Sequence, residues 1–321
     1  MTALAAIRSS DPSRRQPAAA GLYAPLGLRD DPFPRDPLEG AWIDLPSQVA
    51  ALAPVRSFLD GEMPGIAIAG GHAGSGKTRL LHHLAARQHD RLTGIVGDDG
   101  QRRSDAQLLR ATIVALGGKP IGRAGLELVS EARALLNARR EDAGMPVLVV
   151  DNAALTGSQL EIVRSLLAPA GGETRAQIVL FGPPELDDRI ARRRSLSRFL
   201  RETMSLEPLG FDETRLLLDA RIAAVRANRH VEPFTPAAID TLWQATGGNP
   251  GAVTNLAHRC LREAIATGAN QVEAGLVSRV AETPDEDPVR TAAPGGPIQT
   301  RLTLPGLDER ATPSRRRGRQ R

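Results

Sequence analysis

Short apolar runs alternate with amphipathic stretches through the first two thirds of the chain. Each apolar run is only about five residues long, which suits a buried strand, and each amphipathic stretch places apolar residues at helical spacing. The predicted strands are 66–69, 92–96, 146–150 and 177–181, and the predicted helices are 78–87, 104–116, 124–140 and 157–168. This alternation predicts an α/β fold with a parallel sheet and crossover helices.

After Leu209 only helical spacing remains, which predicts a small all-α lid domain at 210–282. Its predicted helices are 211–227, 235–246, 250–267 and 271–282. Residues 1–20 and 283–321 lack apolar periodicity and carry many polar residues, so we predict a disordered tail at each end. The α/β domain is then expected to span residues 21–209.

The turn between the first strand and the first helix has the complete G-x-x-x-x-G-K-[ST] pattern of a phosphate-binding loop. Its residues are Gly71, His72, Ala73, Gly74, Ser75, Gly76, Lys77 and Thr78. With this composition the pattern is expected by chance in about 0.002 of random sequences. The glycines let successive N–H groups turn towards phosphate oxygens, while Lys77 would reach the β and γ phosphates and Thr78 would ligate Mg²⁺. The loop predicts nucleotide binding, with an ordinary Gly-rich turn as the alternative.

The strand predicted at 146–150 is the clearest of the chain, and Asp151 follows it directly. A carboxylate at the end of such a strand, some seventy residues after a phosphate loop, is the form of a Walker B element that holds the Mg²⁺ water shell. The alternative is that Asp151 caps the next helix. Behind an intact phosphate loop, the metal-binding interpretation is favoured.

Composition limits the classes of protein to consider. The chain has 321 residues, 41% of them apolar, and its single cysteine, Cys260, cannot form a disulfide within the chain. No run of about eighteen apolar residues occurs and no apolar signal-peptide segment is present, so we expect a cytoplasmic protein without a membrane span.

Charge adds one further candidate. The chain has 41 basic and 37 acidic residues, a net charge of +4. Five arginines near the end, Arg315, Arg316, Arg317, Arg319 and Arg321, exceed this net charge by themselves. Such a cluster favours electrostatic binding of nucleic acid, an acidic protein or an anionic membrane surface, and a solubilising tail without a partner is the alternative.

Three further segments extend the phosphate loop into a wider resemblance. Residues 23–37 contain an aromatic residue, Gly-Leu and then Pro-Phe; residues 180–186 read Leu-Phe-Gly-Pro-Pro-Glu-Leu; residues 246–250 read Thr-Gly-Gly-Asn-Pro. Together they resemble AAA+ ATPases of the general secretion pathway protein A type, which are related to transposition-helper ATPases. The resemblance covers about residues 23–282. It implies ATP and Mg²⁺ as cofactors, a helical lid, a homo-oligomer, and an accessory or remodelling role in secretion or transposition.

The chain departs from that family at three positions linked to hydrolysis. Asn152 stands where the family has the Glu that polarises the attacking water, Pro183 replaces a Gln expected to sense the γ-phosphate, and Gly251 replaces an Arg that reaches from the lid. The resemblance therefore implies an ATPase that binds ATP well and hydrolyses it slowly. A nucleotide-binding scaffold or switch that does not hydrolyse ATP, in contact with nucleic acid, remains the alternative.

Substitutes for the missing groups lie elsewhere in the sequence. Glu161 or Glu185 could serve as the carboxylate, and Arg198 or Arg201 could act across a subunit interface, by resemblance to the arginine that precedes the family's last strand. Asp151, Asn152 and Arg198 are thus the candidate catalytic residues. Phe33 is a candidate for contact with the adenine base, with packing as an equal alternative.

Overall fold

The computed structural model describes residues 21–34, 42–87, 92–97, 103–151, 154–167, 176–228 and 230–283. The tails predicted to be disordered, 1–20 and nearly all of 283–321, lie outside these ranges. Among the described helices, none combines the length and the apolar character that crossing a membrane requires.

The described chain contains five strands and the helices that connect them. The strands are β1 (Gly65–Gly71), β2 (Leu92–Val96), β3 (Val147–Val150), β4 (Gln177–Gly182) and β5 (Leu200–Leu206). The helices of the α/β part are α1 (Pro46–Asp60), α2 (Lys77–Arg87), α3 (Asp105–Ala115), α4 (Gly125–Ala143), α5 (Gly157–Leu167), α6 (Leu186–Ala191) and α7 (Arg194–Ser197). They are followed by α8 (Phe211–Val225), α9 (Pro236–Thr246), α10 (Pro250–Ala266) and α11 (Ala274–Glu282).

The five strands form one parallel sheet in the order β2-β3-β4-β1-β5. The predicted α/β fold is confirmed, and the four predicted strands correspond to β1 to β4. Strand β5 was not predicted. It lies at the sheet edge, where Arg201 and Glu202 break the apolar pattern and only Met204 and Leu206 are buried.

Helices cover both faces of the sheet, as the strand residues require. In β1, Ile66 and Ile68 face the core shared with α3, α4 and α5, whereas Ala67 and Ala69 face the core shared with α1 and α2. Successive strand residues point to opposite faces, so both faces of a central strand must be apolar. This explains why β1, β3 and β4 appear in the sequence as continuous apolar runs.

The last four helices, α8 to α11, which we call the lid, pack around a separate apolar core. Residues 21–34, which we call the opening segment, pack into the same core. Leu26, Leu28 and Phe33 are buried in that core. The Phe33 ring meets the Phe234 ring edge-on, with centroids 6.5 Å apart, so Phe33 packs within the lid core. The structure therefore supports the packing alternative for Phe33.

A carboxylate also fastens the opening segment to the lid. Asp31 Oδ2 lies 2.9 Å from His258 Nδ1 on α10, and Asp31 Oδ1 accepts a hydrogen bond from the Phe33 N–H at 2.8 Å. Burial by itself raises the pKa of Asp31, but His258 and the Phe33 amide outweigh it, so the pKa lies below its usual value.

The connection between sheet and lid passes through Leu209. Its N–H donates to Gly248 O at 2.9 Å, and its carbonyl oxygen accepts from Trp243 Nε1 at 3.1 Å. Gly248 has φ +75° and lies so close that a Cβ there would overlap the Leu209 carbonyl. The backbones of Leu209 and of the loop between α9 and α10 are therefore held together, and the Trp243 side chain adds a hydrogen bond.

This close approach makes Gly248 far less replaceable than its neighbour. Gly247 also has a positive φ, +57°, but a Cβ on it would meet no atom within 4 Å. We expect Gly247→Ala to lower the free energy of unfolding by about 1 kcal/mol through backbone strain alone. Gly248→Ala should lower it by about 2–4 kcal/mol, since steric overlap adds to the strain. Urea unfolding followed by circular dichroism measures both, and equal losses would contradict the contact.

Candidate functional site

The phosphate-loop motif forms the turn from β1 into α2, and its glycines have geometric reasons to be glycine. Gly74 has φ +78° and Gly76 has φ +93°, backbone angles that residues other than glycine rarely adopt. At Gly71 a Cβ would lie 2.5 Å from Ser75 Oγ and 3.1 Å from the Leu206 Cβ. The loop is therefore a tight backbone cradle at the end of a buried strand.

Lys77, the first residue of α2, folds back over this cradle. Its Nζ donates hydrogen bonds to the carbonyl oxygens of Gly71 and His72, both at 2.7 Å. Burial holds the pKa of the Lys77 ammonium group below its usual value, although the charge of Asp151 opposes this shift. The ammonium group is thus held by two neutral carbonyl oxygens, and an anionic phosphate would compete better than these for its hydrogen bonds.

Thr78 and Asp151, which are 73 residues apart in sequence, meet in the structure. Thr78 Oγ1 donates to Asp151 Oδ2 at 2.8 Å. Asp151 is only 5% exposed and lies at the end of β3, where its N–H donates to Val96 O at 2.9 Å. A hydroxyl and a carboxylate are the hard oxygen ligands that Mg²⁺ prefers, so this pair fits that ion.

The three departures from the family pattern have different outcomes. Asn152 lies outside the described residues. Pro183 follows β4 directly and contributes its carbonyl oxygen to the Leu186 N–H at 3.1 Å, with no side-chain donor to offer. Gly251 lies in the lid against the phosphate loop, as described below.

The suggested arginines lie far from the loop within this chain. Arg198 and Arg201 flank the first residue of β5, whereas the loop follows the last residue of the parallel strand β1. A strand of this length separates the two ends by about 20 Å. The Arg198 guanidinium lies 4.8 Å from the centroid of the Phe199 ring, and Arg201 Nε donates to Pro64 O at 3.3 Å. Neither residue therefore lies near the loop of its own chain.

The suggested carboxylates also differ in position. Glu161 accepts from Arg164 Nε at 2.5 Å and lies 4.0 Å from Arg193, so it belongs to a surface cluster of charges. Glu185 is exposed and precedes α6, close to the end of β4. Of the two, Glu185 lies near the carboxyl ends of the strands, where the loop also lies.

The lid contacts the loop directly, which the sequence did not predict. Asn249 Nδ2 donates to Ala73 O at 2.8 Å, and the Gly251 N–H donates to Gly74 O at 2.9 Å. Asn249 belongs to the Gly-Gly-Asn-Pro segment on which part of the resemblance rests. The position of a polar residue between two glycines and a proline was the available signal, but its partner could not be inferred.

An aromatic and basic cluster lies beside the first turns of α2. The Trp42 ring stacks on His83 with centroids 3.9 Å apart and an interplanar angle of 16°. The Arg79 guanidinium lies 6.0 Å from the Trp42 centroid. Burial, and then the positive charge of Arg221 on the lid, lower the pKa of Arg79 to about 10. The cluster thus brings basic groups of the α/β part and the lid together next to the loop.

Comparisons with known proteins agree with this geometry. Residues 62–190 match the family model for an AAA domain. No curated protein sequence matches the chain. Similar solved structures include Cdc6p from Pyrobaculum aerophilum, with a TM-score of 0.59 and 19% identity over 76% of this chain and 68% of that one.

Two further structures are similar at the level of fold. The Aeropyrum pernix ORC1 protein in complex with DNA has a TM-score of 0.56 and 17% identity, over 74% of this chain and 65% of that one. Drosophila ORC bound to DNA has a TM-score of 0.55 and 17% identity, over 81% and 64%. This chain therefore spans about two thirds of their length. With the AAA-domain match, they establish a P-loop AAA+ fold followed by a helical part.

Proposed function

We propose that this chain binds Mg-ATP in the loop Gly71–Thr78 and acts as a nucleotide-dependent accessory or remodelling ATPase with slow turnover. The observation that carries the proposal is the 2.8 Å hydrogen bond from Thr78 to Asp151 beside the glycine cradle. In the proposed site the loop amides and Lys77 bind the phosphates, while Thr78 and Asp151 hold Mg²⁺ directly or through its water shell. The bound ion would neutralise charge on the β and γ phosphates.

Slow turnover follows from the contrast between binding and hydrolysis residues. Lys77, Thr78 and Asp151 are all present, whereas Asn152, Pro183 and Gly251 supply no base, no sensor side chain and no lid cation. An amide at 152 can orient a water but cannot take its proton, and losing such a base costs about 10²- to 10⁴-fold in rate. Arg198 would complete the site of a neighbouring copy in a homo-oligomer.

The alternative is a nucleotide-binding switch that does not hydrolyse ATP. The lid supports it, because it reaches the loop through a backbone N–H and a neutral amide instead of a cation. Secretion and transposition remain the pathways suggested by the resemblance, and the cytoplasm is the proposed location. Two of the similar structures contain DNA, which together with the Arg-rich tail makes nucleic acid the partner to test.

Nucleotide binding should depend on Lys77 and on Mg²⁺ through Thr78. We expect Lys77→Ala to weaken Mg-ATP binding about 100-fold, since charge-assisted hydrogen bonds are lost. Thr78→Val should remove the Mg²⁺ enhancement while leaving binding in EDTA almost unchanged. Fluorescent ATP titrations measure both. Lys119→Ala, at the chain's only other lysine and exposed, is the matched control and should bind like the unmodified protein.

Turnover should rise when the missing base is restored. The unmodified protein is expected to hydrolyse ATP well below about 1 s⁻¹, and Asn152→Glu should raise the steady-state rate at least about tenfold. Adding Lys77→Ala to that variant should abolish the gain, which excludes a contaminating ATPase. Rapid hydrolysis by the unmodified protein would show that the degenerate-site proposal is wrong.

Nucleic-acid binding, if it uses the tail, should be strongly salt-dependent. Five arginines that contact phosphates add about 4 to 5 to the slope of log K against log salt. Removing residues 283–321 should therefore weaken binding and flatten that slope in mobility-shift titrations at several salt concentrations. A variant with the five arginines changed to lysine should retain most of the binding. Unchanged binding after truncation would rule the tail out.

A further inference from the structure

The N-terminus of α10 rests on the crest of the phosphate loop, which we define as Ala73 and Gly74. Two hydrogen bonds make the contact: Asn249 Nδ2 to Ala73 O at 2.8 Å and the Gly251 N–H to Gly74 O at 2.9 Å. Both acceptors are backbone carbonyls of the loop, and neither donor is charged. The lid thus touches the loop without relying on a cationic side chain.

Two facing glycines make this approach possible. A Cβ on Gly251 would lie 2.9 Å from Gly74 Cα and 3.1 Å from Gly74 O, and a Cβ on Gly74 would lie 2.5 Å from Asn249 Oδ1. Cβ atoms essentially never come closer than 3.0 Å to heavy atoms beyond their own residue and its chain neighbours. A side chain at 251 would therefore push backbone against backbone, whereas one at 74 would displace the Asn249 side chain.

Asn249 and Gly74 each accept a hydrogen bond from an N–H that the first turn of α10 leaves without an acceptor. Asn249 caps α10 by accepting from the Ala252 N–H through Oδ1 at 3.1 Å, so its amide is held at both ends. Gly251 is the second residue of α10, where an N–H has no acceptor within the helix. Here the loop carbonyl of Gly74 takes that place.

The same short segment is anchored to Leu209 at its other end. Gly248 accepts from the Leu209 N–H at 2.9 Å and packs against the Leu209 backbone. Residues 248–251 therefore link Leu209, between the sheet and the lid, to the crest of the loop. Any movement of these residues away from the loop breaks the hydrogen bonds to Ala73 and Gly74.

We propose that Asn249 and Gly251 form a latch that fixes the lid on the phosphate loop and governs nucleotide release, with Asn249 as a positioning residue. In a trans peptide the C=O and N–H point in opposite directions. Holding the Ala73 carbonyl towards the lid therefore fixes the orientation of the Gly74 amide, while the Ser75 N–H donates to His72 O at 3.2 Å within the loop. The part of the inference that concerns release rests on the proposed function, whereas the contact itself does not.

Two variants break the latch without weakening the helix. Asn249→Ser keeps a good N-cap acceptor but removes the amide donor to Ala73. Gly251→Ala favours the helix and inserts a methyl group against Gly74. Gly275→Ala is the matched control, because Gly275 is the second residue of α11 and its Cβ would meet only Arg279, at 3.9 Å. Thr235→Ala, which removes the cap of α9, controls for general weakening of the lid.

Hydrogen exchange tests the contact in the nucleotide-free protein. We expect the Gly251 amide to be protected and the Gly275 amide, at the same helix position, to exchange rapidly. Asn249→Ser should increase exchange at Gly251 while Thr235→Ala leaves it protected. If Gly251 exchanges as fast as Gly275 in the unmodified protein, the latch does not exist.

Stopped-flow release of a fluorescent ADP analogue tests the consequence. Loss of one or both hydrogen bonds should speed release about three- to tenfold in Asn249→Ser and Gly251→Ala, with Gly275→Ala and Thr235→Ala within twofold of the unmodified protein. Equal release from all five proteins would overturn the control of release. If the unmodified protein binds no nucleotide, the proposed function fails and the release step with it, while hydrogen exchange still decides the contact.

Discussion

The parallel pairing of five strands is the constraint on which the candidate site depends. Because every strand runs in the same direction, the residues that follow β1, β3 and β4 emerge at the same end of the sheet, where the carboxyl ends of the strands lie. Thr78 and Asp151 therefore meet although β4 lies between their strands. The same constraint places Arg198, which precedes β5, at the opposite end of the sheet, where the amino ends of the strands lie. Strand direction alone thus separates the groups that surround the loop from Arg198.

Two close backbone contacts help to join the lid to the rest of the molecule. Gly248 packs on Leu209, and Gly251 packs on Gly74. Each contact allows two main chains to approach more closely than a Cβ permits. Hydrogen bonds of this kind are short-ranged and directional, so they hold the lid in one position and are lost completely when it moves.

Continuous apolar strands and the phosphate loop could be predicted from the sequence, because burial on both sheet faces and the turn geometry each demand particular residues. Helix α1 and strand β5 were missed for physical reasons. Pro54 lies inside α1, which contradicts helix propensity, and β5 is an edge strand with exposed polar positions. The burial of Phe33 in the lid core and the contact of Asn249 with Ala73 depend on tertiary packing between segments about 200 residues apart. No local pattern encodes such distances.

Gly251 shows how the absence of one side chain can create a different contact. A Cβ at 251 would lie 2.9 Å from Gly74 Cα and 3.1 Å from Gly74 O, so a side chain there would require the lid or the loop to shift. The lid therefore meets the loop through the shape of its backbone, which β1 and α2 set, and not through a charged side chain.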